Sequence, residues 1–205
     1  MNKNDHTVFI IEDEPEVRSA LQCLFESIHL NVEAFENAND FLENYDSKKS
    51  GCLILDVRLP GMSGLELLEH LKDQKIHLPV IIISGYGDVQ MAIRAMKAGA
   101  KEFIEKPFNE QHLLELVQKY MEQVQHNLSY DIINEQVKRL SERERQILDL
   151  IIEGKLNKQI AHELSISIST VEAHRSNIMH KMEVKQLAQL IKSYLMYQMN
   201  NESIK

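Results

Sequence analysis

Short apolar runs alternate with longer stretches of helical spacing through the first 123 residues of this 205-residue chain. Residues 8–11, Val-Phe-Ile-Ile, read as a buried strand. Residues 15–28 follow, with Val17, Leu21, Leu24, Phe25 and Ile28 on one helical face. The alternation then recurs: strand 32–35 and helix 39–45, strand 52–55 and helix 64–73, strand 80–83 and helix 88–98, strand 102–105 and helix 109–123. A strand followed by a helix, five times over, predicts a doubly wound α/β domain: a five-stranded parallel sheet with helices on both faces. Crossovers in such sheets are nearly all right-handed, which leaves a flavodoxin-like order as the natural choice.

After residue 123 the pattern changes. Residues 124–138 hold neither Pro nor Gly, and Val124, Leu128, Ile132 and Val137 keep a loose helical spacing. That combination predicts a helical or semi-rigid connector. From Leu140 onward no strand pattern remains. Ser141-Glu142-Arg143-Glu144 forms a capping box that opens a helix through Ile152, and Gly154 stops it. Helices over 158–164, 169–182 and 185–199 complete an all-α four-helix domain. The expected organisation is a first domain over 1–123, a helical linker over 124–138 and a helix-turn-helix domain over 139–205.

With 43% hydrophobic and 26% charged residues, the composition is that of a folded globular protein. The longest apolar runs fall far short of the ~20 residues a bilayer requires. The first six residues are polar, with no signal-peptide core. Cys23 and Cys52 form no C-x-x-C motif and are expected to be reduced, buried and inert. Nine histidines show no zinc-type cluster. A cytoplasmic location follows by elimination, with no membrane partner. The net charge of −8 counts against nucleic acid until it is divided. Residues 1–124 hold 12 Lys and Arg against 21 Asp and Glu, net −9, whereas residues 139–205 hold 10 against 8, net +2. An acidic regulatory domain ahead of a mildly basic module fits nucleic-acid binding by the second.

In doubly wound sheets functional residues gather beyond the carboxyl ends of the strands. Here Glu12-Asp13-Glu14 follow the first strand, Asp56 the third, Ser84-Gly85 the fourth and Lys106-Pro107 the fifth. Three nearby carboxylates repel one another unless a cation joins them. With oxygen ligands on offer and neither Cys nor His, Mg²⁺ suits the set. A metal and the Lys106 ammonium would neutralise charge on a transferring phosphoryl group. One carboxylate can then act as nucleophile and give an acyl phosphate. Asp56, alone at the tip of the central strand, is the best placed. Any one of these residues by itself would be an ordinary loop acid or helix cap; the reading rests on the whole set at matching strand ends.

In the last domain, helix 158–164 places Ile160, Ala161 and Leu164 inward, and the turn Ser165-Ile166 leads to a helix capped by Ser167 or Ser169. Val171, His174, Ile178 and Met182 share one face of that helix. The opposite face carries Thr170, Glu172, Ala173, Arg175, Ser176 and Lys181, a mixture of hydrogen-bonding groups, small residues and cations suited to a major groove.

Four stretches carry a family resemblance: Ile-Ile-Glu-Asp-Glu (10–14), Leu-Ile-Leu-Asp-Val-Arg-Leu-Pro-Gly-Met-Ser-Gly (53–64), Ile-Ile-Ser-Gly-Tyr-Gly-Asp (82–88) and Phe-Ile-Glu-Lys-Pro-Phe (103–108). Through them residues 6–123 resemble the receiver domain of two-component response regulators. The resemblance implies that Asp56 accepts phosphate from a sensor histidine kinase. It implies Mg²⁺ held by Asp13, Asp56 and the backbone carbonyl of Arg58, with Glu12 assisting. Lys106 would pair with the phosphoryl oxygens, Ser84 would swing to hydrogen-bond the phosphate, and Phe103 would turn inward as an aromatic switch. Glu12 stands where this family often has Asp.

Residues 140–195 resemble the LuxR-type four-helix DNA-binding domain, through Leu-Ser-Glu-Arg-Glu-Arg-Gln-Ile-Leu (140–148), Gly154, Asn-Lys-Gln-Ile-Ala (157–161) and Thr-Val-Glu-Ala-His-Arg (170–175). By that likeness Glu172, Ala173, Arg175 and Ser176 face bases, while Asn157, Lys158, Thr170 and Lys181 hold phosphates. Ile168 and Ser169 stand where the family often has Pro and a basic residue. Together the two domains resemble the FixJ/NarL group, on its FixJ side. The implied partners are a histidine kinase, double-stranded DNA, RNA polymerase and a second copy of the chain on phosphorylation. No enzymatic activity is implied beyond self-catalysed phosphoacceptance and dephosphorylation at Asp56. A phosphatase with an Asp nucleophile would need a second carboxylate two residues further on, where this chain has Arg58. A constitutive DNA binder would have no use for the acidic set and Lys106.

Overall fold

A computed structural model describes residues 6–85 and 89–202. Asp88, the expected first residue of the fourth helix, and its neighbours Tyr86 and Gly87 lie outside the described residues, as do 1–5 and 203–205. The chain divides into two compact units, Met1–Gln125 and His126–Lys205.

The first unit alternates β1 (His6–Ile11), α1 (Pro15–Glu26), β2 (Asn31–Phe35), α2 (Ala38–Asn44), β3 (Ser50–Asp56), α3 (Gly64–Asp73), β4 (Val80–Ser84), α4 (Val89–Ala98) and β5 (Glu102–Glu105). All neighbouring strands pair in parallel, in the order β2-β1-β3-β4-β5, which is the flavodoxin-like arrangement. Successive side chains of a strand point to opposite faces, and here both faces are covered. Phe9, Ile11, Leu53, Leu55 and Ile82 pack with Phe41, Leu67, Leu71 and Ala95 on one side. Val8, Ile10, Ile54, Ile81 and Ile83 pack with Leu21, Phe25, Leu113 and Val117 on the other. That double burial is why β1, β3 and β4 read as continuous apolar runs. Cys52 lies in this second layer, but Cys23 is exposed, contrary to expectation. Leu21 and Phe25 face the core from α1, and residue 23 falls between them on the outer side.

Gly64 opens α3 where no side chain fits: a Cβ there would lie 2.1 Å from the carbonyl oxygen of Asp56. Its N–H donates to the Val57 carbonyl at 2.9 Å, and Ser63 and Glu66 close a capping box over the same turn. The end of β3 is thereby fixed against the start of α3.

The expected end of the fifth helix near residue 123 is corrected. α5 runs without interruption over Glu110–Lys138, through the expected linker. With no Pro or Gly to stop it, its last turns contribute to the second core. Ile133 and Val137 are buried there; of the residues in the sequence pattern, Val137 thus meets the core, whereas Leu128 and Ile132 are exposed. α6 (Glu142–Ile152), α7 (Asn157–Glu163), α8 (Ile168–Lys181) and α9 (Leu187–Glu202) complete the second unit around Ile147, Leu148, Ile160, Val171, Ile178 and Leu190. Ser141 and Glu144 form the expected capping box, and Gly154, at φ 81°, follows the end of α6. Ser167 is the cap of α8, accepting the Thr170 N–H at 3.0 Å. No helix among the described residues is long and apolar enough to cross a membrane.

Candidate functional site

Parallel pairing brings the carboxyl ends of β1, β3, β4 and β5 to one edge, and the residues that follow them meet there. Lys106 extends its ammonium to Asp56 Oδ2 at 2.6 Å and to Glu12 Oε2 at 2.8 Å. The backbone N–H of Arg58 donates to Asp56 Oδ1 at 2.9 Å. Both oxygens of Asp56 are therefore engaged, and the carboxylate is held in one orientation. The carbonyl of Ser84 accepts the Lys106 N–H at 2.8 Å, which ties β4 to the segment carrying the ammonium. Ser84 itself is fully buried. Phe103 is half-buried and packs against the core layer of Leu55 and Ile82.

Carboxylate oxygens of Glu12, Asp13 and Asp56 lie within 4.8 Å of one another. Glu12 is buried, Asp56 nearly so, and Asp13 is exposed, so the cluster opens to solvent on the Asp13 side. Burial pushes the Glu12 carboxyl up, and the charge on Asp56 adds to this. The Lys106 hydrogen bond offsets only part, leaving Glu12 at about 6. Burial alone would lower Lys106, but its bonds to Asp56 and Glu12 outweigh that and hold the ammonium above its ordinary value. Among the described residues, Glu12 Oε1 is buried and has no hydrogen-bond partner. An unpaired buried carboxylate oxygen within a cluster of three acids is the environment a hard cation relieves. The all-oxygen donor set suits Mg²⁺. Arg58, expected to contribute its carbonyl, bonds Asp56 through its N–H.

Sequence reasoning missed Arg18. From the first turns of α1 its Nη1 donates to the carbonyls of Glu12 at 2.6 Å and Asp13 at 3.1 Å. A bond to main-chain carbonyls leaves no mark on residue type, and a lone helix cation reads as surface.

In the second unit, Thr170, Glu172, Ala173 and Ser176 are exposed along α8, and Lys158 is exposed on α7. Arg175 donates to Asn157 Oδ1 at 3.2 Å, linking α8 to the start of α7. Lys181 donates to Glu144 Oε2 at 2.7 Å. Burial would raise Glu144, but Lys181 and the N–H and hydroxyl of Ser141 outweigh it and hold the carboxyl below the ordinary carboxylate range. The capping box gave the place of Glu144 in sequence; its ion pair with Lys181 was not foreseen.

Residues 8–118 match the family described as response regulator receiver domain, and residues 138–194 match the bacterial regulatory proteins of the luxR family. Among characterised relatives, the transcriptional regulatory protein FixJ of Rhizobium meliloti is 43% identical over 195 residues, covering 93% of this chain and 96% of FixJ. The response regulator protein TodT of Pseudomonas putida is 41% identical over 196 residues, covering 94% of this chain and 86% of TodT. Among solved structures, the response regulator StyR is similar at TM-score 0.63 and 42% identity, covering 94% of this chain and all of that one. Full-length FixJ from B. japonicum follows at TM-score 0.57 and 34% identity, covering 96% and 99%.

Proposed function

The chain belongs to the two-component response regulators that join a receiver domain to a LuxR-type DNA-binding domain, and from that premise we propose that phosphorylation of Asp56 switches its hold on DNA. It is a phosphorylation-dependent transcriptional regulator, and its receiver implies a histidine kinase as phosphoryl donor. The observation that carries the Asp56 assignment is the convergence of Lys106 on Asp56 and Glu12, at 2.6 and 2.8 Å, inside a three-carboxylate cluster.

One Asp56 oxygen bonds to phosphorus while the bond from phosphorus to the kinase imidazole nitrogen breaks and the imidazole leaves. Glu12, Asp13, Asp56 and the Arg58 carbonyl would hold Mg²⁺, which when bound supplies positive charge against the phosphoryl oxygens. Lys106, already beside Asp56, pairs with a phosphoryl oxygen and so stabilises the charge of the transfer. The product carries roughly −1.5 to −2 charge where the Asp56 carboxylate carried −1. Ser84 then turns its hydroxyl to the phosphate and Phe103 moves further inward, changing the surface of α4 and β5. Catalysis by the chain is confined to this self-modification and its reversal.

The receiver spans 1–123, the linker 124–138 and the DNA-binding domain 139–205. α8 enters the major groove, with Glu172, Ala173, Arg175 and Ser176 toward base edges. Asn157, Lys158, Thr170 and Lys181 hold phosphates; Lys181 keeps two of its three donors for this after bonding Glu144. Two copies, paired on phosphorylation, read half-sites about one helical turn (~34 Å) apart and present RNA polymerase with the promoter. The setting is the cytoplasm. The test is molecular mass and DNA affinity with and without beryllofluoride, at fixed salt with Mg²⁺. A shift to dimer and tighter binding in the wild type, absent in Asp56→Asn, supports the reading. No response in the wild type leaves a constitutive DNA binder.

A further inference from the structure

We propose that Arg18 is a positioning residue for the cation site, fixing the backbone of the acidic loop so that Glu12 and Asp13 face Asp56. The inference rests on the Mg²⁺ reading above. Residues 12–14 leave β1 and enter α1 with few anchors. The helix cap, Glu14, makes no side-chain cap bond, and Pro15 at the first helical positions has no N–H to give. The main-chain N–H of Glu12 donates to Phe35 O at 3.2 Å, that of Arg18 to Glu14 O at 2.9 Å, and that of Glu14 to the Glu12 carboxylate. None of these engages the carbonyl of Glu12 or Asp13. Arg18 Nη1 engages both, at 2.6 and 3.1 Å. These two peptide groups belong to the residues whose carboxylates lie within 4.8 Å of each other and of Asp56. A rotation of either peptide plane would swing its neighbouring side chain out of the cluster. A guanidinium holds such a pair well, because its donors are planar and its bonds charge-assisted.

Charge and geometry make opposite demands here. As a cation close to a cation site, Arg18 by its charge alone opposes Mg²⁺, so its removal would tighten binding. As a positioning group its removal loosens binding, by the tenfold or more typical of residues that orient metal ligands. The sign of the change therefore separates the two roles.

The experiment is calorimetric titration of Mg²⁺ into the full-length chain at fixed ionic strength, for wild type, Arg18→Met and Arg18→Lys. Mg²⁺ affinity about tenfold weaker in Arg18→Met is the expected result. Arg18→Lys keeps the charge but replaces the two fixed, planar N–H donors of Nη1 with a rotating ammonium on a shorter reach, and should be weaker than wild type by about threefold or more. Equal or tighter binding in a folded Arg18→Met chain overturns the proposal. If circular dichroism shows that this variant does not fold, Arg18→Lys decides: weaker binding supports positioning, and wild-type affinity overturns it. A wild type that takes up no Mg²⁺ overturns the metal reading and the role of Arg18 with it. Variants that match a wild type that does bind overturn the role of Arg18 alone.

Discussion

Glu144, in the first turn of α6, holds the ammonium of Lys181, in the last turn of α8, at 2.7 Å. A cation already neutralised by a buried carboxylate displaces fewer condensed counterions from DNA than a free one does. Lys158, exposed on α7, has no carboxylate partner among the described residues. Lys158→Met should reduce the slope of log affinity against log salt by about 0.9. Lys181→Met should reduce it by clearly less. Equal reductions in the two titrations would mean that the Glu144 pair opens on DNA.

The same pair makes the second unit sensitive to acid. The Glu144 carboxyl is held below its ordinary value by Lys181 and Ser141. A carboxylate depressed in the folded state contributes stability that is present above its unfolded value and lost as pH falls through the folded one. Protection of the Ile147 and Val171 amides against hydrogen exchange should fall as pH drops below about 4.5. Lys181→Met should shrink that dependence. Because the Lys181 side chain is 36% exposed, its loss at pH 7 should cost about 1 kcal/mol rather than the roughly 3–5 kcal/mol of a fully buried pair.

Glu12 has the opposite sign. Its carboxyl is pushed up to about 6 from 4.5. The folded, metal-free receiver therefore carries a penalty above pH 6 that fades as the pH falls through 6 toward 4.5 and is gone below 4.5, where both states are protonated. Glu12→Gln removes the charge. In the presence of a chelator it should stabilise the first unit at pH 7 by about 2 kcal/mol and flatten the profile between pH 6 and 4.5. Urea titrations followed by circular dichroism at several pH values test this. A variant less stable than wild type at pH 7 would show that the Lys106 pair outweighs burial.

Gly64→Ala should damage Asp56 from outside the pocket. The new Cβ would stand 2.1 Å from the Asp56 carbonyl oxygen, and both partners are backbone-bound, so neither can rotate away. A cost of about 1–3 kcal/mol is expected from overpacking. Displacing the end of β3 should also slow phosphorylation of Asp56 by a small-molecule phosphodonor. A normal rate in a destabilised chain would separate the two effects.

The legible parts of this fold are those written in apolar runs. β1, β3 and β4 are buried on both faces, so each appears as an uninterrupted stretch, and α3 and β5 fall at the residues expected. Asp56 and Ser84 could be placed at the sheet edge from sequence because each ends such a run, and Lys106 because it follows the short β5. Bonds that depend on main-chain carbonyls or on distant partners were not legible. Arg18 binds peptide oxygens, and Glu144 meets Lys181 across 37 positions. Nor does spacing alone tell which side of a continuous helix is covered, and α5 is the case in point.

Ile132 and Ile133 are neighbours on α5 with opposite fates. Ile132 is 51% exposed, and Ile133 is 8% exposed within the core of the second unit, one turn before the buried Val137. The loose spacing of Val124, Leu128, Ile132 and Val137 mixed the two sides of the helix, because apolar residues occur on both, and of these Val137 is buried while Leu128 and Ile132 are exposed. Deleting a buried isoleucine to alanine removes its transfer free energy and leaves a cavity, for about 2–4 kcal/mol in all. Ile133→Ala should therefore destabilise the second unit by that amount. Ile132→Ala should stay within about 0.5 kcal/mol of wild type. Hydrogen exchange at the Leu148 and Ile178 amides reads the second unit directly, without assuming that the two units unfold together. A large loss from Ile132→Ala in the monomer would reverse the helix phase. A loss seen for Ile132→Ala only after beryllofluoride treatment would instead place that exposed face against a second copy.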